Sequence, residues 1–185
     1  MPEPEARIGR ATVADAQALS RLSAAVFPLG CPANTRPEDL AEYINRELTP
    51  KRFRALLQDD RIVILAVRIS DQLVGYALIA RGASHPQVRS SVQFELRRFY
   101  IDAAYHGRGV ANTLMKEVLA VAADGCEGAL WLSVFSGNQR AISFYKRWGF
   151  RIAGTQDFLV GADCQKDYVM QREATMTAKE NPQCK

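Results

Sequence analysis

The stretch from Phe94 to Phe135 most constrains what this chain can fold into. Phe94–Ile101 reads as a β-strand, Gly109–Ala123 as a helix and Leu130–Phe135 as a second apolar strand. That second strand is apolar in the manner of a parallel sheet, buried on both faces. Between the first strand and the helix, Tyr105-His-Gly-Arg-Gly109 sets two glycines one residue apart. Glycine lets the backbone adopt positive φ and approach a ligand, and free N–H groups at a helix start face an anion. Phosphate or pyrophosphate suits such a loop, although an ordinary strand-to-helix turn uses the same residues. The loop lacks the Gly-Lys-Ser/Thr of a P-loop. It also lacks the third glycine and downstream acid of a dinucleotide fingerprint.

The other elements follow from periodicity and turn chemistry. Arg7–Ala11 reads as a strand, and Thr12 N-caps a helix over Val13–Phe27 with Leu19, Leu22 and Val26 at helical spacing. Pro28, Gly30 and Pro32 break it. Thr35-Arg-Pro-Glu38 has capping-box spacing and predicts a helix to about Leu48, and Thr49-Pro50 starts a shorter one reaching Gln58. Arg61–Ile69 and Leu73–Ala80 are apolar strands joined by a hairpin turn at Ser70-Asp-Gln, and 82–91 is a polar loop with His85 at its surface. In the 109–123 helix Val110, Leu114, Val118 and Val121 form one stripe, ended by Gly125. Asn138 caps a helix carrying Ala141, Phe144, Tyr145 and Trp148, closed by Gly149. Final strands are expected near Phe150–Gln156 and Asp167–Gln171, with a frayed tail from Ala174 to Lys185. The order implies an α/β chain with helices on the faces of a mixed sheet.

Composition excludes several classes. At 185 residues, with 48% apolar and 24% charged residues, the chain suits one globular domain. Its longest apolar run, Ile62–Val67, falls far short of the roughly 20 residues of a membrane helix. The acidic start, Met1-Pro-Glu-Pro-Glu, has no apolar signal core, so a cytoplasmic protein is expected. The net charge of +4 is scattered without a basic block, which argues against nucleic acid as the main partner. Cys31, Cys126, Cys164 and Cys184 form no C-x-x-C pair, and with only His85 and His106 no metal site is expected.

His106-Gly-Arg-Gly-Val-Ala111 resembles the R/Q-x-x-G-x-G/A signature of the GNAT superfamily of acetyl-CoA-dependent N-acyltransferases. Asn138-x-x-Ala141-x-x-Phe144-Tyr145-x-x-x-Gly149-Phe150 is similar to that family's second signature, and Arg97-Arg-Phe-Tyr-Ile101 to the strand leading into the first. His106 departs from the pattern, where Gln or Arg is usual. The resemblance implies a mixed, mostly antiparallel sheet of about seven strands with a splayed central pair and about four flanking helices. It implies a single N-acetyltransferase domain over 1–173. Acetyl-CoA is the implied co-substrate, with a primary amine as acceptor and no membrane partner. Members often form homodimers, and no segment here marks an interface.

On this resemblance His106, Gly107, Arg108, Gly109, Val110 and Ala111 wrap the pyrophosphate of coenzyme A. The backbone of Phe99, Tyr100 and Ile101 pairs with the pantetheine arm, and Asn138 and Tyr145 complete the cofactor contacts. Arg108 could equally be a solvated surface residue, and Asn138 a simple N-cap. Amine transfer needs a base, because an alkylammonium has a pKa near 10.4, about 3 units above neutral. Glu95 is the candidate base, or else an ion-pair partner of Arg97. Tyr145 is the candidate donor to the leaving sulfur, or else a packed core tyrosine. Cys126 is not expected to form an acetyl intermediate. Acceptor selectivity is expected from Phe27–Leu48 and Phe158–Tyr168. The pattern Phe158-x-x-Gly161 and Asp167-Tyr-Val-Met170 is similar to bacterial spermidine/spermine-type members, with Glu38, Asp39, Glu42 and Glu47 either partners of a polyamine or, more in keeping with their spacing, a solvated helix face. A protein N-terminus or an amino-acid-like metabolite is a further acceptor, and a non-catalytic acyl-CoA-binding or regulatory module is the other reading.

Overall fold

The computed structural model describes residues 6–123 and 128–174. The readings of the N-terminal 1–5, Gly125, Cys126, Cys184 and the tail beyond Ala174 fall outside the described residues. Seven strands form one sheet: β1 (Arg7–Arg10), β2 (Ile62–Ile69), β3 (Gln72–Arg81), β4 (Gln93–Ile101), β5 (Gly128–Phe135), β6 (Arg151–Val160) and β7 (Asp163–Ala174). Their spatial order is β1-β2-β3-β4-β5-β7-β6. Every neighbouring pair is antiparallel except β4 and β5, which are parallel. The parallel pair requires a crossover, and α4 (Val110–Ala123) supplies it. The remaining helices are α1 (Ala16–Val26), α2 (Pro37–Glu47), α3 (Pro50–Leu57) and α5 (Gln139–Arg147), so five α-helices flank the sheet rather than four.

The sheet has one core on each face. α4 buries Val110, Leu114, Met115, Val118 and Ala122 against Val63, Leu65, Ile79 and Leu130, with Ile142 and Tyr145 of α5 in the same cluster. Met115 and Ala122 thus join the expected stripe, while Val121 is only half-buried. On the opposite face Leu19 and Leu22 of α1 pack with Phe53 of α3 on Ile64, Tyr76 and Leu78.

Several local expectations need correction. The Val13–Phe27 helix is a 3-10 turn (Val13–Asp15), then α1, then a second 3-10 turn (Phe27–Gly30). Thr35 does not cap α2, whose N-cap is Arg36. Its hydroxyl donates instead to Asp163 at 2.9 Å, 128 residues away. The last hairpin is longer than Phe150–Gln156 and Asp167–Gln171, and β7 continues through Ala174. His85 is half-buried, its ring 5.1 Å from that of Trp131, because the 82–91 loop folds over the sheet around Gln93, whose Oε1 accepts from the His85 N–H and whose Nε2 donates to the Val88 and Ser90 carbonyls.

The β2–β3 turn is built from Ser70 (φ 49°) and Asp71 (φ 64°), with Ile69 facing Gln72 across it. A two-residue turn with both φ positive favours Asn-Gly. Asp71 also pairs with Arg7, but both side chains are highly exposed, and such pairs contribute about 0–1 kcal/mol. Relief of left-handed strain is about 1–2 kcal/mol per residue. The double change Ser70→Asn/Asp71→Gly is therefore expected to stabilise the chain by about 1 kcal/mol, raising Tm by roughly 2–4 °C in a thermal melt.

Candidate active site

β4 and β5 pair only at Gln93↔Ala129, Phe94↔Leu130 and Glu95↔Trp131, although β4 runs to Ile101 and β5 to Phe135. On its other edge β4 skips a residue against β3. Pairing passes from Ile79↔Leu96 to Leu78↔Arg98, leaving Arg97 as the extra residue. A bulge bends its strand and increases the local twist, and here it accompanies the departure of β4 from β5. The Asp102 N–H donates to the Val74 carbonyl at 2.8 Å. Strand alternation then turns the backbone groups of Tyr100 toward β3 and those of Phe99 and Ile101 into the gap.

The end of β4 leads into the glycine loop. Gly107 (φ 77°) and Gly109 (φ 80°) both need the left-handed region, and a Cβ at either would meet nothing within 4 Å. Conformation rather than crowding demands glycine, and the space above the loop is open. The Thr113 N–H donates to the Gly109 carbonyl at 3.1 Å. The amides of Val110, Ala111 and Asn112 therefore have no carbonyl within the helix. His106 holds the loop in place: its Nε2 meets the Ile101 carbonyl at 3.0 Å and its Nδ1 the Arg140 guanidinium at 2.6 Å. Because arginine can only donate, Nδ1 accepts from it and Nε2–H donates to the carbonyl. Arg140 is thereby fixed beside the loop, and Arg108 lies over the Tyr105 ring at 5.7 Å. The loop fits a phosphate-type anion.

A cleft of about 660 Å³ follows the gap, lined by Glu95 and Phe99 of β4, Ser133 and Phe135 of β5, and Asn138 and Tyr145 of α5. An adjoining recess of about 550 Å³ shares Asn138 and Arg140 and reaches His106, carrying the opening to the glycine loop. The opposite wall joins both segments expected to face the acceptor. Phe27 stacks on Tyr43 at 4.3 Å between ring centroids, and Tyr43 meets Phe158 edge-on at 5.6 Å.

Glu95 is 17% exposed and accepts from Arg97 Nε at 2.9 Å and Nη2 at 2.7 Å. Cleft position and ion pair occur together. Both bonds fall on Oε2, and Oε1 has no hydrogen bond among the described residues. Tyr145 packs against Phe99, Phe144 and Phe150, and burial pushes its phenol well above the usual value. It therefore stays protonated and can only lose its proton to a strong base. Asn138 caps α5, its Oδ1 accepting from the Ala141 N–H at 3.1 Å. Tyr100 sits edge-on to Tyr76, with its phenol buried and pushed up. Cys31 lines the cleft, but burial raises its thiol to about 11, which makes it a poor nucleophile at neutral pH.

The acids expected to meet a polyamine are mostly engaged. Asp39 is buried, bound by Arg36 at 2.7 Å and by the Ala162 N–H at 2.9 Å, and so ties α2 to the β6–β7 turn. Arg46 pairs with both Glu42 and Glu47, and Arg52 also reaches Glu47. Glu38 is exposed on the helix surface. Among the charged side chains of the cleft that sequence reasoning missed are Arg98, Arg140 and Asp167. Arg98 and Asp167 gave no local signal, because their strands, Gln93–Ile101 and Asp163–Ala174, are rich in polar and charged residues.

Residues 25–150 match the acetyltransferase (GNAT) family. An uncharacterised N-acetyltransferase of Mycobacterium tuberculosis is 42% identical over 159 residues, covering 86% of this chain and 97% of that relative. The spermine/spermidine N(1)-acetyltransferase of Bacillus subtilis is 32% identical over 88 residues, 46% of this chain and 57% of that protein. Among solved structures, the PaiA N-acetyltransferase of Thermoplasma acidophilum in complex with coenzyme A superposes with a TM-score of 0.73 at 17% identity. The match covers 91% of this chain and 99% of that one, and it shows the fold. With the family matched over 25–150 and a relative of nearly equal extent, this chain belongs to the acetyltransferase (GNAT) family and is an N-acetyltransferase.

Proposed function

We propose that the chain transfers an acetyl group from acetyl-CoA directly to a primary amine bound in the cleft. The observation that carries this is the continuous opening from the glycine loop, along the gap between β4 and β5, to Glu95 and Tyr145. Gly107, Arg108 and Gly109, with the amides of Val110 and Ala111, hold the pyrophosphate, and the positive end of the α4 dipole adds to the attraction. His106 sets the loop's position. The backbone of Phe99 and Ile101 pairs with the pantetheine arm as with an added strand, and Asn138 Nδ2 donates to it.

Acetyl-CoA, when bound, supplies an acetyl group activated as a thioester. A β4 N–H turned into the gap polarises the acetyl carbonyl. Glu95, through Oε1 and directly or by one water, takes a proton from the ammonium and passes it to solvent; the freed nitrogen bonds to the acetyl carbon and gives up its second proton by the same route. The C–S bond breaks, the Tyr145 O–H hydrogen-bonds the departing thiolate, and water supplies the proton that leaves sulfur as a thiol. The polyamine reading has the Bacillus relative in its favour over 46% of this chain. Against it stand the arginine partners of Asp39, Glu42 and Glu47.

The test is free-thiol release from acetyl-CoA across spermidine, spermine, amino acids and short peptides, with product masses measured in the same samples. Acceptor-dependent release with an acetylated product is expected. Acetyl-CoA that raises Tm while no amine is acetylated would overturn the transfer and leave a coenzyme-binding module.

A further inference from the structure

Two side-chain atoms among the described residues are buried without a hydrogen-bond partner, Arg98 Nη1 and Asp167 Oδ1. They carry opposite charges, and both residues line the cleft. Arg98 is 8% exposed and Asp167 5%, and neither has an ion-pair partner among the described residues.

The surroundings of Arg98 do not neutralise it. Its Nη2 donates to the Glu47 carbonyl at 3.4 Å, its guanidinium lies 5.4 Å from the Phe53 ring centre, and the phenols of Tyr43, Tyr76 and Tyr100 face it. Burial raises those phenols, so they stay neutral. The other cleft arginines already have partners: Arg97 has Glu95, Arg52 has Glu47, and Arg140 has His106. Asp167 stands opposite Phe135 on β7, with the Ser133 hydroxyl and the Cys31 thiol as neighbours. Both charges lie on the sheet face that carries α2 and α3, one on each side of the gap. An uncompensated ion is costly to bury, and persists where something else pairs it.

We propose that the acceptor is a zwitterion, a free amino acid or similarly small amino-carboxylic acid, with its ammonium bound by Asp167 and its carboxylate by Arg98. A guanidinium fork matches a carboxylate in two parallel hydrogen bonds. A carboxylate oxygen without a donor takes an ammonium N–H. Asp167 holds the N–H that remains in the amide while Glu95 takes the two departing protons in turn, so both residues act on the same nitrogen. A polyamine would add cations beside an unpaired guanidinium. This substrate class rests on the acetyl-transfer reading above.

The test compares an amino acid with its amide and its decarboxylated amine across the panel of natural side chains, measuring thiol release and product mass. The preferred amino acid is expected to show kcat/KM at least about 10-fold above both analogues, the size of a lost charge-assisted pair. Arg98→Gln should raise KM for the amino acid at least about 10-fold without raising it for the decarboxylated amine. Should that variant not fold, the wild-type chain with coenzyme A bound still serves: the amino acid raises Tm and its amide does not. A polyamine or peptide acetylated better than every amino acid, or an Arg98→Gln loss equal for acceptors with and without a carboxylate, overturns the proposal alone. No acetylated product from any amine overturns the transfer reading, and this one with it.

Discussion

In a chain carrying Gly109→Glu, saturating acetyl-CoA is expected to leave the melting temperature unmoved. A ligand at 100 times its Kd stabilises a protein by about 2.7 kcal/mol. For a domain of this size that is a rise of roughly 5–10 °C in the wild-type chain. The substitution acts twice. A side chain at φ 80° is strained, by about 1–2 kcal/mol, and the new carboxylate stands where the free amides of α4 would meet phosphate. Gly82→Glu separates the two effects. Gly82 has φ 70° and open space around it, but sits in the loop after β3, away from the glycine loop. That variant should lose a similar amount of stability yet keep the full acetyl-CoA shift. A wild-type shift in Gly109→Glu would sink the phosphate-loop assignment.

Glu95→Gln is expected to lower kcat by about 10²-fold near pH 7, the lower end of what a positioned base contributes. The deficit should shrink as pH rises. An amine of pKa about 10 gains free base tenfold per pH unit below that value, so the variant's rate climbs with unit slope and approaches wild type. The sign is set by the amine: below its pKa the base is needed, above it the base is redundant. The Arg97 pair gives a structural alternative for Glu95, and the pH profile distinguishes them. A structural carboxylate would give a loss that is constant with pH, and a profile parallel to wild type would remove Glu95 as the base.

Much of the site was legible because its signals are local. Gly107 and Gly109 meet a steric demand set within a few residues of backbone, and the Asn138 cap closes on Ala141 three residues on. The same holds for the β2–β3 hairpin, whose turn is read from Ser70-Asp-Gln, although Gln72 already belongs to β3. Thr35 shows where such reading fails. Its spacing to Glu38 is that of a capping box, but the hydroxyl has a partner in Asp163, and no local pattern reports a contact 128 residues away. Asp39 failed likewise: read as a solvated helix-face charge or a polyamine partner, it is a buried clasp between α2 and the β6–β7 turn.

The sequence by itself determined the alternation of strands and helices, the glycine loop before α4 and the family, since periodicity, caps and φ preferences act over one or two turns of chain. Only the tertiary structure decided what the charged residues do. The bulge at Arg97 accompanies the splay of β4 from β5, and it exists only in register against β3. Glu47, Glu95 and Asp39 each found an arginine, while Arg98 and Asp167, on strands far apart in sequence, were brought buried and unpaired to one cleft. The physical reason is range. Backbone preferences are set by neighbours along the chain, whereas burial and charge pairing are set by neighbours in space.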